Sequence, residues 1–481
     1  MKLLSFLSSV LLLLIIFFAC NENKTTGTKL EIGLAGAYNP PAVRTFPTSS
    51  KTIYEWINAM DETKIRAHGW DIWESINTMS PDSLPIWENW FSGYELYWAP
   101  NSLVQRDVAK DFEFPNQFFH ASVFKSAIPN SPNERATSFN RFSPSLAKFI
   151  YGQGYNTQVR LNAINDSFNA AKTIPVNRQI QTSKDSIDAL SFALKPVFQF
   201  ISGTQPTCIP YWAGITAQTT TSFTNPSPGT WRQAVVVDPT GKLTPGSKVK
   251  MSCNGEAPQD WPVVSLKDFY NFRITKAMAD SFSSFAATSG DDVGHNNQGD
   301  SVSVVDMVKE GNYALLMAMH VTGKEINVWT WQTFWWSPNP QDPVNGADRP
   351  ASIKTPWNNY NMNTAYYMVS PPGKLQGGTP LISFNPYLET NLIGTLSSEV
   401  GSKDTITWYG AFSNCMSCHR MAAWEISTYI PNGNIDPANP VLFSNNTKTD
   451  FLWSIPTRAV AAVKKKKEME MKNEMEKEKG K

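Results

Sequence analysis

Charge is scarce and balanced in this chain: 42 Lys and Arg face 41 Asp and Glu over 481 residues, a net charge of +1. Such a balance gives no electrostatic footprint for a nucleic-acid partner or a strongly acidic substrate. The motifs of several common chemistries are also missing. There is no G-x-G-x-x-G, no Walker-type loop, no H-E-x-x-H and no G-x-S-x-G, so nucleotide binding, zincin chemistry and α/β-hydrolase chemistry have no motif support. No self-similar period marks a solenoid or propeller. Cysteine and histidine number only five each, which makes the position of every one informative.

Aromatic residues are abundant, with 17 Trp, 27 Phe and 15 Tyr, and 33 Pro favour turns and loops over long helices. Helical spacing opens the body: Ile53, Trp56, Ile57 and Met60 recur on one face of "SKTIYEWINAMDETKIRAHGWDIWESIN". A second helix is expected in "PSLAKFIYGQGYNTQVRLNAINDSFNAA". A third candidate is "DSIDALSFALKPVFQF", whose second half reads equally as a strand. Between Val235 and Val369 the runs "QAVVVDP", "KDFYNFRIT", "ALLMAMHVT", "INVWTWQTFWW" and "TAYYMVSP" are β-branched and aromatic, bounded by Gly, Pro and Asn. The expected fold class is α+β, loop-rich, with helices near the N-terminus and antiparallel strands in the middle third.

The N-terminus, "MKLLSFLSSVLLLLIIFFACNENK", has one early Lys2, an apolar run from Leu11 to Phe18 and then Ala19-Cys20. That is the layout of an export signal, too early and poorly flanked for a stop-transfer helix. Ala19-Cys20 also resembles the end of a bacterial lipobox, with Phe17 where Leu is usual, and this implies lipidation of Cys20. The alternative is a plain cleaved signal. The expected divisions are 1–19 signal peptide, 20–50 lipidated N-terminus and tether, 51–405 α+β body, 406–460 a segment packed on the body that carries Cys415, Cys418 and His419, and 461–481 charged disordered tail. The expected location is the periplasmic side or the cell surface, anchored to a bacterial membrane by lipid.

With Cys20 assigned to lipid, Cys208 and Cys253 remain as a candidate disulfide in an exported protein; two separately buried thiols are the alternative. The other two cysteines form Cys415-Met416-Ser417-Cys418-His419, the C-x-x-C-H pattern of c-type haem attachment. The spacing is chemical. Two thiols one helical turn apart can each add to one porphyrin vinyl group, and the adjacent imidazole then lies under the iron. His419 is the expected proximal iron ligand, and its second ring nitrogen needs a carbonyl or carboxylate partner. Chance would produce this pattern in such a chain on the order of once in a thousand. A zinc site would want another Cys or His after His419, and the chain has none. A thioredoxin-like pair would sit early in a compact domain.

The second axial ligand must come from upstream, because no His follows His419 and no Met lies between Met421 and the charged tail. The upstream candidates are His68, His120, His295 and His320, with Met317, Met319, Met362 and Met368 as sulfur alternatives. His320, at the expected end of the strand "NYALLMAMHV", is the favoured distal residue; a hydrogen-bonded histidine without a haem role is the alternative. His68, Asp71 and Glu74 at helical spacing are expected to form an exposed polar helix edge, with a metal site as the alternative. The stretch "SGDDVGHNNQGDS" is oxygen-rich but no EF-hand, and is expected to be a turn. Trp329, Trp331, Trp335 and Trp336 are expected to be core or haem-pocket wall.

The order Met319-His320, then Trp329-x-Trp331-x-Thr333-Phe334, then Cys415-Met416-x-Cys418-His419 resembles a group of large exported bacterial proteins classed as c-type cytochromes. The likeness runs most clearly from Asn312 to Trp424. Where that group often has an acidic residue after the aromatic box, this chain has Trp335 and Trp336. The resemblance implies haem binding and no assigned reaction. Three functions are therefore weighed: a lipid-anchored monohaem cytochrome passing electrons to a redox partner protein, a peroxidase-like haem enzyme with an open distal site, and an interaction lipoprotein without haem.

Overall fold

The computed structural model describes residues 37–97, 140–181, 188–211, 233–253, 257–280, 308–366, 415–425 and 438–459. It adds the pieces 120–121, 136–138, 293–295, 301–303, 368–370, 379–380, 383, 385, 387–388, 396–401, 405–411 and 436. The expected signal peptide, Cys20, the oxygen-rich stretch at 289–292 and 296–300, and the charged tail lie outside the described residues, as do the side chains of His120, His295 and Met368. Among the described residues no helix is long and apolar enough to cross a membrane.

The fold is α+β. The N-terminal periodic stretch forms two helices: α1 (Ser50–Ala59), capped by the Ser49 hydroxyl on the Thr52 amide, and α2 (Glu62–Ile76), capped by Asp61 on Lys64. They are separated at Met60, which takes a left-handed φ of 52° and closes the first helix by donating its amide to Ile57. The second periodic stretch also divides, into α3 (Pro144–Gly152) and α4 (Gln158–Ala170), at the turn where Gly154 has φ 71°. In the third candidate the strand alternative holds for the second half. Phe192–Ile201 is a strand, β1, because Phe192, Leu194, Pro196 and Phe198 alternate onto one buried face.

The main sheet is antiparallel, with β1 beside β2 (Tyr313–Gly323), β3 (Thr330–Trp336) and β4 (Tyr360–Thr364). The short strands Arg141–Phe142 and Phe91–Ser92 extend it beyond β1. A bulge between Leu316 and Ala318 shifts the β1/β2 register. One face is covered by α2. Trp73 is fully buried and stacks on Phe334 with ring centroids 4.1 Å apart, while its indole N–H donates to the Trp357 carbonyl at 3.1 Å. Gly69 lets helix and sheet approach, since a Cβ there would stand 2.8 Å from the Met362 sulfur. Trp73→Ala is expected to cost about 3 to 5 kcal/mol, read as a fall in urea midpoint at constant m-value.

The expected tether ends earlier than residue 50, a correction with a packing cause. The Tyr38 and Pro41 carbonyls accept hydrogen bonds from Trp90 and Ser75, and Phe46 is buried in the main core. The exposed helix edge is also corrected. His68 and Asp71 are buried: His68 bonds Tyr366 and Glu325 at 2.9 and 3.1 Å, and Asp71 holds Arg44 at 2.6 Å. Glu74 takes Arg44 and Ser352. Asp71 and Glu74 thus share Arg44, while His68 turns away to Tyr366 and Glu325, so the three do not converge on one point.

A smaller sheet orders Thr207–Tyr211, Gln233–Val237, Gln259–Val264 and Lys248–Met251. Cys208 and Cys253 form a disulfide across it, 45 residues apart in sequence with Cα atoms 5.7 Å apart. Replacing both with serine is expected to cost about 3 to 4 kcal/mol by releasing loop-closure entropy to the unfolded chain. Urea unfolding of the oxidised wild type against the double variant measures this.

Candidate functional site

The Cys415-Met416-Ser417-Cys418-His419 motif forms a single helical turn, α5 (Cys415–His419), continued by Arg420 N–H on the Met416 carbonyl. Residues three and four apart in a helix share a side, so the backbone brings Cys415, Cys418 and His419 to one side. The Cys415 thiol is buried, 3.7 Å from the Ser383 hydroxyl. The Cys418 side chain lies outside the described residues. Met416 anchors the turn: it is fully buried in an apolar cluster with Trp329, Trp331, Trp424, Leu452 and Ile455.

His419 finds the partner that the sequence left open. Its Nδ1 lies 2.7 Å from the Phe451 carbonyl oxygen. A carbonyl only accepts, so Nδ1 carries the proton and Nε2 keeps its lone pair. Burial holds the His419 pKa down at about 4, opposed by the Phe451 bond and aided by the Lys195 charge. The ring is therefore neutral at neutral pH, in the tautomer that a metal requires. Trp331 packs against it with centroids 4.5 Å apart, and the Phe451 ring lies 6.1 Å from that of Trp331.

Trp331 comes from β3, and strand alternation decides what else shares its face. His320 pairs with Lys195 on one side and Thr333 on the other, and Thr333 pairs with Asn363. Directly opposed residues point the same way and residues two apart do too, so Trp331, His320, Lys195 and Thr333 share the face towards His419. The chain places His320 inside the strand, three residues before its end at Gly323, and not at the strand end. Burial lowers the His320 pKa well below 6.5, followed by the charges of Lys195 and His419. The Asn385 amide donates to the Thr333 hydroxyl at 2.7 Å on the same row.

The other upstream candidates separate cleanly. Met319 and Met362 both oppose Phe334 on the face covered by α2, and Met317 is the unpaired, buried bulge residue of β2. His68 points to Tyr366 and Glu325 on that same side. Of His320, His68, Met319 and Met362, His320 alone shares the face of His419. The four tryptophans divide as well. Trp331 touches His419, Trp329 donates to Asp450 at 3.1 Å, and Trp336 stacks on Phe269 at 4.2 Å on the opposite face; Trp335 lies on the His320 face.

Lys195 was missed by sequence reasoning, although a single Lys inside the apolar run "FALKPVFQF" was a usable signal. Among the described residues no group of three or more His, Cys, Asp or Glu gathers to hold a metal ion. The donor set does fit a covalently bound haem: a buried thiol on a one-turn helix, an imidazole fixed with its Nε2 presented, an indole wall and a second histidine on the facing sheet. Comparison with protein-family models, with curated proteins and with solved structures finds no match.

Proposed function

We propose that this chain is an exported, lipid-anchored c-type cytochrome that binds one haem covalently and works in electron transfer. The observation that carries the reading is the hydrogen bond between His419 Nδ1 and the Phe451 carbonyl at 2.7 Å. Metal-bound histidines need such a partner to fix tautomer and ring orientation. Cys415 and Cys418 would supply the two thioether links and His419 the proximal nitrogen. Bound haem supplies a one-electron carrier. Trp331 and Phe451 would keep water from the His419 side, and His320 would be the second residue to hold the group. The Cys208–Cys253 disulfide supports an oxidising compartment, and Cys20 would carry the lipid. The resemblance to large exported c-type cytochromes points the same way.

A second reading is a haem-dependent oxidoreductase with an open distal position, favoured by the pairing of Lys195 with His320. There His320, neutral because burial and Lys195 oppose its protonation, would act as a general base instead of a ligand. Absorption spectra of protein matured in a host with the haem-attachment machinery separate the two. Sharp low-spin bands in the reduced form, unaffected by carbon monoxide, are expected for electron transfer. A high-spin spectrum that shifts with carbon monoxide or peroxide would give the enzyme reading the lead.

A further inference from the structure

The segment that offers the Phe451 carbonyl is held in an unusual way. Asp450 and Phe451 both take left-handed φ values, 51° and 67°, a conformation that residues with a Cβ disfavour unless their surroundings impose it. The surroundings here are polar and buried. Asp450 Oδ2 accepts from Lys324 Nζ at 2.6 Å and from the Trp329 indole at 3.1 Å, and Oδ1 accepts from Gln179 at 3.1 Å. Both charged side chains are almost fully enclosed, Lys324 at 2% and Asp450 at 1% exposure. Lys324 also donates to the Asn327 carbonyl at 2.8 Å. On the other side, Thr449 N–H donates to the Ala422 carbonyl at 2.8 Å, just beyond α5.

Lys324 and Trp329 lie in the turn between β2 and β3, the hairpin that carries His320 and Trp331. Asp450 thus joins the backbone that holds His419 to the hairpin that bears the facing histidine. A buried ion pair is weak evidence for stability, because desolvation offsets its Coulombic gain. Its position explains it better.

We propose that Asp450 and Lys324 form a positioning clasp, through which the Asp450 carboxylate fixes the Phe451 carbonyl on His419 and sets how strongly that imidazole donates to iron. The inference rests on the haem reading above. Releasing the clasp lengthens the His419 bond, weakens donation from the imidazole and stabilises the ferric state less, so the reduction potential rises.

The test compares haem-loaded wild type, Asp450→Asn and the double variant Asp450→Asn/Lys324→Met by redox titration and by proton NMR of the His419 ring in the ferric form. The double variant guards against misfolding around an uncompensated Lys324. It also keeps the net charge, so any rise in its potential reports positioning and not the loss of a nearby negative charge. Haem content equal to wild type, a raised potential and shifted His419 resonances are expected in both variants. Leu161→Ala, which loosens the same apolar cluster from α4, is expected to leave the potential alone. A haem-loaded double variant with the wild-type potential and unshifted His419 ring overturns the clasp alone. A wild type without covalent haem overturns the haem reading itself and the clasp with it.

Discussion

The Cys415→Ser/Cys418→Ser double variant is expected to carry no covalently bound haem after expression beside the attachment machinery, while remaining folded. The two parts of that expectation have separate causes. Covalent attachment needs sulfur nucleophiles at this spacing, and after Cys208 and Cys253 are consumed by their disulfide no other thiol is available to the body. Folding is expected to survive because the Cys415 thiol already faces a hydroxyl, Ser383, at 3.7 Å. A serine there exchanges one small polar contact for another at a cost of about 1 kcal/mol. Acid–acetone extraction followed by a pyridine haemochrome assay reads the first part, and far-UV circular dichroism reads the second. Haem that resists extraction in the folded double variant would contradict the assignment.

His320→Ala is expected to convert the iron from low spin to high spin and to create stoichiometric carbon monoxide binding where the wild type shows none. The contrast with His68→Ala makes the experiment sharp. His68 sits on the other face of the sheet, bonded to Tyr366 and Glu325. Its removal strands buried polar partners and is expected to cost about 1 to 3 kcal/mol while leaving the spectrum unchanged. Equal spectra for wild type and His320→Ala would remove His320 from the axial position. Loss of low spin in His68→Ala would mean that the sheet faces are assigned wrongly.

The motif was legible in the sequence because covalent attachment forces its chemistry into five contiguous residues. The fold class was legible too, since helical spacing at Ile53, Trp56 and Ile57 and the β-branched runs around Met319 and Phe334 each carry their own period. The same alternation holds the rule that separates His320 from Met319. Using it required the pairing with Thr333, which only the folded sheet supplies. Phe451 was not legible, because its contribution is a backbone carbonyl with no side-chain pattern. The turn that aims it is made by Asp450 and Phe451 at positive φ, where glycine or asparagine would have given a signal. The helix break at Met60 escaped for the same reason, while at the other break Gly154 was a usable signal that the expectation of one helix passed over.

The expected exposed edge at His68 and Asp71 failed instructively. Helical spacing of polar residues predicts a solvated face when the partners are water. Here the partners are Arg44 from the N-terminal segment and Glu325 and Tyr366 from far along the chain. Their approach turns polar spacing into a buried network, and nothing local records those contacts. The strand at Phe192–Ile201 shows the converse: "FALKPVFQF" fits a helix or a strand equally, and pairing with β2 decided between them.

The most direct test of the central claim is the intact mass of the wild-type chain matured with and without the haem-attachment machinery, followed by peptide mapping. The account predicts one added haem only with the machinery, resistant to denaturation and localised to the peptide containing Cys415, Cys418 and His419. A chain of unmodified mass, with both cysteines of that peptide free to alkylate, would contradict it.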